Sequence, residues 1–175
     1  LTFQRYGKSP QIGLAEVARP QLKPDELLVQ VHAASVNPID NMIPTGIFKA
    51  VVKFELPATL GSDLAGIVVE VGRRVTRFKP GDAIFANIFD QGTGSIAEFA
   101  VVPESAAALK PTHLDFVQAA SIPMVGLTSW QALKERAGLR AGQKVFIPAG
   151  SGGIGTFAIQ LAKWLGATVG TTTST

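Results

Sequence analysis

The spacing of hydrophobic positions along this chain changes once, near Pro111. Before that point, short apolar runs alternate with polar residues and are cut by Gly, Pro, Asn and Asp. This is the pattern of half-buried strands joined by turns. Residues 26–36 (ELLVQVHAASV) follow the turn Lys23-Pro24-Asp25, and residues 63–72 (DLAGIVVEVG) are entered through Leu60-Gly61. Lys79-Pro80-Gly81-Asp82 feeds a strand over 83–86, and a glycine-containing loop feeds another over 95–102. The opening LTFQRYG also reads as strand. Between the first two runs, residues 37–57 make a polar, proline-marked connection with one helical turn around 39–43. Short strands with frequent turns predict a barrel-like or sandwich domain.

Beyond Pro111 the period becomes helical over 114–120 and 127–137, with Asp115, Thr128 and Ser129 near the starts. Residues 143–147 (QKVFI) read as a short buried strand. Over 153–165, Ile154, Phe157, Ala158, Leu161 and Leu165 share one helical face, and 167–172 is the next strand. Strand, helix, strand is one crossover unit of a parallel sheet. Composition adds limits. Of the 175 residues, 46% are hydrophobic and 17% charged, which suits a globular protein. The net charge of +3 is dispersed, Arg73, Arg74, Arg77 and Lys79 being the densest group, so nucleic-acid binding gains little support. There are no cysteines, which removes disulfides and thiolate zinc sites. No apolar run approaches the roughly 20 residues of a membrane span. No basic-then-apolar leader precedes the first strand. No membrane partner and a cytoplasmic location are the expectation.

Gly150-Ser151-Gly152-Gly153-Ile154-Gly155 satisfies G-x-G-x-x-G, and it follows a strand and opens a helix. One glycine would permit the tight turn, Gly152 would let a diphosphate approach, and Gly155 would let the helix pack on the strand. First-turn N–H groups and the helix dipole favour an anion there. A tight turn that binds nothing is the bland alternative. An acidic residue about 20 positions further on would bond a ribose hydroxyl and repel a 2′-phosphate. Thr171, Thr172, Thr173, Ser174 and Thr175 stand there instead. Hydroxyls can donate to a phosphate, so NADPH is expected over NADH, although threonine also simply suits a strand.

The segments VHAASVNPID, LGSDLAGIVVEVG, FKPGDAIFA, ASIPMVGLTSWQAL and AGSGGIGTFAIQLAK, in that order, resemble the medium-chain dehydrogenase/reductase superfamily. Within it they are most similar to the zinc-free quinone oxidoreductase branch. The resemblance implies a mixed α+β and α/β fold. A GroES-like β-barrel catalytic domain over 1–113 would be followed by the first part of a Rossmann cofactor domain over 114–175. Members of the family are longer, which implies a fragment or part of a longer polypeptide. They are often dimers, which makes a homodimer compatible with the resemblance.

Zinc-dependent members carry Cys and His where this chain has Asn37 and Ser62, so no metal site is expected. His32 is expected on a barrel strand and His113 at the surface. The resemblance implies Asn37 as a catalytic polarising or orienting group beside the nicotinamide, with Asp40 orienting the site or capping the helix that follows. Thr128 would approach the cofactor or act as an ordinary helix N-cap. Gly150 to Gly155 would seat the diphosphate, and Thr172, Thr173 and Ser174 the ribose phosphate. The implied activity is NADPH-dependent reduction of a quinone or α,β-unsaturated carbonyl by direct hydride transfer. Phe48 stands where many relatives place a Tyr, which weakens an enoyl-thioester reductase reading. A further alternative is an NADPH-binding structural or RNA-interacting relative without turnover.

Overall fold

A computed structural model describes residues 1–50, 54–91 and 94–173. The chain divides into two compact units, Leu1–Pro123 and Met124–Thr175. The first begins with β1 (Thr2–Phe3), β2 (Ile12–Gly13) and β3 (Glu26–Ser35), then a short helix α1 (Pro38–Met42). It continues with β4 (Ala58–Thr59), β5 (Asp63–Val71), β6 (Ala83–Asn87), β7 (Phe99–Pro103), β8 (Ala107–Leu109) and helix α2 (Phe116–Ala120). One antiparallel sheet has the five-stranded order β7-β3-β5-β6-β8, and β2-β1-β4 forms a smaller sheet.

Alternation along these strands sends Leu27, Val29, Leu64, Val68, Ile84 and Val102 into one core. Each side chain of this kind stabilises the fold by about 1.5–3 kcal/mol on burial. β3 and β5 pair from Leu27 opposite Val71 to Ser35 opposite Asp63, with register shifts at Leu28/Val29 and Val31/Ala33. Such irregularities bend a strand and re-aim its end. The strand expected over 95–102 starts only at Phe99. The amides of Ser95 and Ile96 are taken instead by the carbonyls of Gly61 and Leu60, at 3.2 and 2.9 Å. The opening segment is strand at Thr2–Phe3 alone.

A side-chain clamp joins two turns of this unit. Glu104 Oε1 accepts the backbone N–H groups of Arg77 at 2.6 Å and Thr76 at 2.8 Å. These bonds, Arg77's first, hold the Glu104 carboxyl below its ordinary value of 4.5. Helix α2 starts at Asp115, whose carboxylate accepts the Gln118 N–H at 2.7 Å, while Gln118 Oε1 accepts the Asp115 N–H at 3.1 Å. Ala119 and Ala120 of α2 pack against Ala65 of β5. The expected domain boundary at 113/114 and the division at 123/124 differ by this helix.

In the second unit, α3 (Pro123–Trp130) runs on into a π-helical turn, Gln131–Arg136. β9 (Lys144–Ile147), α4 (Gly153–Trp164) and β10 (Thr168–Thr171) follow. β9 and β10 are parallel, Lys144 beside Thr168 through Ile147 beside Thr171. Leu133, Leu139, Ile147, Ala158 and Ala162 form the core. The buried strip of α4 is Gly155, Ala158 and Ala162. Ile154, expected on the buried face, is 48% exposed. Small residues on that strip let the α4 backbone lie close to the strands.

Candidate functional site

Sheet register builds a buried polar cluster from residues far apart in sequence. Ser35 pairs with Asp63 across β3 and β5, and Asp63 pairs with Asn87 across β5 and β6. Asp63 is 0% exposed. Its Oδ2 accepts from Ser35 Oγ at 3.0 Å and from Asn37 Nδ2 at 3.0 Å, and its Oδ1 accepts from Asn87 Nδ2 at 2.7 Å. A buried carboxylate is stable only when its lone pairs are met in this way.

The cluster reaches α1 through Asp40, which is 3% exposed. Asp40 Oδ2 accepts the Asn37 backbone N–H at 2.7 Å, and Oδ1 accepts from Ser62 Oγ at 2.8 Å. Asn37 and Asp40 form the capping box of α1, with Pro38 at its first position. Asp40 therefore caps the helix and also ties it to the start of β5. Asn37, 9% exposed, turns its amide nitrogen inward. Phe48 packs on the apolar group of Phe3, Ile43, Ala58 and Leu60. Tyr6 has a structural role, its hydroxyl accepting the Phe54 N–H at 2.9 Å.

The glycine loop in the second unit has a different construction. Ala149, not a glycine, takes the left-handed conformation at φ 54. Its N–H donates to Thr172 Oγ1 at 3.1 Å, and the Gly150 N–H donates to the Thr172 carbonyl at 2.8 Å. The glycines serve close approach. A Cβ on Gly155 would sit 2.3 Å from the Ala149 carbonyl oxygen, and one on Gly150 would sit 2.2 Å from Thr171 Oγ1. A Cβ on Gly152 would meet nothing nearer than that carbonyl oxygen at 3.3 Å, and one on Gly153 nothing nearer than Val125 Cγ1 at 3.4 Å.

Helix α4 is N-capped by Gly152 with no side-chain cap. Intrahelical bonding begins with the Thr156 N–H donating to the Gly152 carbonyl at 2.9 Å. The amides of Gly153, Ile154 and Gly155 precede that bond, as first-turn donors do. Helix-start amides without a side-chain cap, on glycines that carry no side chain, suit an anion such as a diphosphate. At the end of β10 the Thr171 hydroxyl donates to the Ile147 carbonyl at 2.6 Å. Thr172 and Thr173 are exposed, and Ser174 lies outside the described residues.

Thr128 lies inside α3, because the helix begins at Pro123. An N-cap role for it is thereby overturned. Its neighbour Ser129, 1% exposed, donates to the Val125 carbonyl at 2.7 Å and approaches the Ile154 carbonyl at 3.5 Å. Sequence reasoning gave Ser35, Asp63 and Asn87 no role, named Ser129 only near a helix start, and treated Ser62 only as standing where zinc-dependent members carry a ligand. The one visible signal was Asp63, a carboxylate where the β5 alternation continues into buried positions. His32 is exposed on β3 and stacks on Phe116 at 4.5 Å, and His113 is exposed. Among the described residues, no group of three or more His, Cys, Asp and Glu is placed to hold a metal ion.

Residues 23–112 match the family described as Alcohol dehydrogenase GroES-like domain. The human protein named NAD(P)H oxidoreductase RTN4IP1, mitochondrial (Homo sapiens) is 40% identical over 179 residues, covering 92% of this chain and 45% of its own length. The 2-methylene-furan-3-one reductase of Solanum lycopersicum is 38% identical over 169 residues, covering 93% of this chain and 43% of its own. The chain thus spans less than half the length of these two relatives. Among solved structures, the Escherichia coli quinone oxidoreductase complexed with NADPH superposes with a TM-score of 0.85 at 29% identity. That match covers 99% of this chain and 52% of that one. The β-rich first unit and the strand–helix–strand second unit are the GroES-like and Rossmann portions of this fold. The chain belongs to the medium-chain dehydrogenase/reductase superfamily, in its quinone oxidoreductase-like branch.

Proposed function

We propose that the protein reduces quinones or α,β-unsaturated carbonyls with NADPH and without zinc. The observation that carries this reading is the start of α4, where the N-cap Gly152 has no side-chain cap and is followed by Gly153. Gly150, Ser151, Gly152, Gly153, Ile154 and Gly155 would hold the diphosphate, with Thr128 as a further contact. Thr172, Thr173 and Ser174 would meet the ribose phosphate. Thr172 Oγ1 accepts from Ala149, so its own proton can be directed at a phosphate oxygen. No carboxylate stands at 171–175 to repel that phosphate. The names of a relative that reduces a methylene-furanone and of a structure holding NADPH agree with this reading.

When bound, the reduced nicotinamide supplies the hydride. The chain's own residues bind, orient and exclude. Catalytic zinc takes about three protein ligands from Cys, His or carboxylate. Here an amide and a hydroxyl, Asn37 and Ser62, stand beside carboxylates whose oxygens already accept from N–H and O–H groups. A conjugated carbonyl needs no Lewis acid to the same degree, because hydride adds to a carbon that is already electron-poor. Phe48 offers no phenolic proton, so the product oxygen takes its proton from water. The test is NADPH oxidation by the protein with a panel of quinones and enones, each repeated with NADH and after dialysis against a chelator. Turnover that prefers NADPH and survives chelation is expected. Tight NADPH binding with no turnover on any member would defeat the reading.

A further inference from the structure

We infer that Thr172 is a positioning residue, whose hydroxyl holds Ala149 in its left-handed turn and so aims the amides at the start of α4. The parallel pairing of β9 and β10 ends with Ile147 beside Thr171. Pro148 follows and has no N–H to offer. The next two amides then go to a single residue just past β10. The Ala149 N–H donates to Thr172 Oγ1 at 3.1 Å, and the Gly150 N–H donates to the Thr172 carbonyl at 2.8 Å. Any residue at 172 supplies that carbonyl. Only a side chain that accepts supplies the other bond.

Ala149 needs the bond more than a glycine would. At φ 54 its Cβ crowds the carbonyl oxygen that follows, and among the described residues no other non-glycine has a positive φ. The conformation is passed on. The Ala149 carbonyl accepts the Gly152 N–H at 3.0 Å, and the Gly152 carbonyl accepts the Thr156 N–H at 2.9 Å. The Ala149 oxygen is also the atom that a Cβ on Gly155 would meet at 2.3 Å, so the first turn of α4 rests against it. One run of hydrogen bonds thus leads from the end of β10 into α4, entirely within the second unit. Without its first link Ala149 relaxes toward a negative φ, and the amides of Gly153, Ile154 and Gly155 lose their common aim. This role acts on whatever anion those amides hold, and is separate from any contact between Thr172 and a ligand. The inference rests on the nucleotide reading above only for the identity of that anion.

Two measurements test this. Without nucleotide, NMR is expected to show the Ala149 amide exchanging with solvent at least about tenfold faster in Thr172→Val than in the wild type. Thr172→Ser, which keeps the acceptor, should stay within about twofold of the wild type. Unchanged exchange in Thr172→Val overturns the inference. The second measurement is a cycle with Ala149→Gly, because glycine takes a positive φ without steric cost. In the wild-type background Thr172→Val is expected to lower NADPH affinity about tenfold, the weight of one lost hydrogen bond. In the Ala149→Gly background the same change should cost about twofold or less. A threonine that only touched the ligand would lose the same factor in both backgrounds, so equal losses overturn the inference. If the wild type binds no NADPH, the proposed function fails instead, and the exchange rates alone decide on Thr172. Should Thr172→Val not fold, Thr172→Ala takes its place in both measurements.

Discussion

Glycines in the loop before α4 are not equivalent, and the difference is measurable one residue at a time. Gly155→Ala forces a methyl to 2.3 Å from a backbone oxygen that cannot swing away. It is expected to cost about 1–3 kcal/mol in denaturant unfolding, as overpacking does. Gly152→Ala meets the same oxygen at 3.3 Å, a neighbour that need give only a few tenths of an ångström. It should stay within about 1 kcal/mol of the wild type. Its effect falls on the ligand: NADPH affinity is expected to drop at least about tenfold, equivalent to about 1.4 kcal/mol. If Gly152→Ala binds NADPH as the wild type does, the backbone at Gly152 is not the diphosphate seat. The loop's glycine spacing was legible in the sequence because each close approach demands the absence of a side chain. The left-handed turn was not, because it falls on Ala149, which no turn rule singles out.

Among the elements, periodicity located β3, β5, β6, β9, α4 and β10 to within a residue or two. It could not supply register, and register makes the site. Ser35, Asp63 and Asn87 become neighbours only when β3, β5 and β6 pair. Thr128 was misplaced for a local reason: Pro123 starts α3 earlier than the apolar period suggests. The clamp between the β5–β6 connection and the turn after β7 gives an element-scale prediction. The Glu104 carboxyl lies below 4.5 when folded, so its contribution is complete above that pH and is lost as pH falls through the folded value. Acid unfolding of Glu104→Gln should therefore lack part of the wild type's pH dependence below about 4.5, while the two proteins keep a constant offset near neutrality. Parallel pH profiles down into strong acid would show that the clamp contributes nothing in solution.

For the molecule as a whole, each unit has a core of its own, one around Leu64, Val68 and Ile84 and the other around Ile147, Ala158 and Ala162. A chain of that kind need not unfold in one step. No helix among the described residues is long and apolar enough to cross a membrane. Leu64→Ala, at a fully buried position, is expected to destabilise the first unit by about 2–5 kcal/mol. Circular dichroism in the β-rich range should register that loss, while tryptophan emission follows a different curve. Superimposable melts from both probes would show that the units unfold together. The reason for the split lies in where the fluorophores sit: Trp130 and Trp164 both fall within Met124–Thr175, and the sole tyrosine, Tyr6, lies in the other unit. Indole light is thus a lamp placed in one room of the house. A screen for variants that relied on it would score changes around the glycine loop faithfully and pass over damage to the unit that carries Asn37 and Asp63.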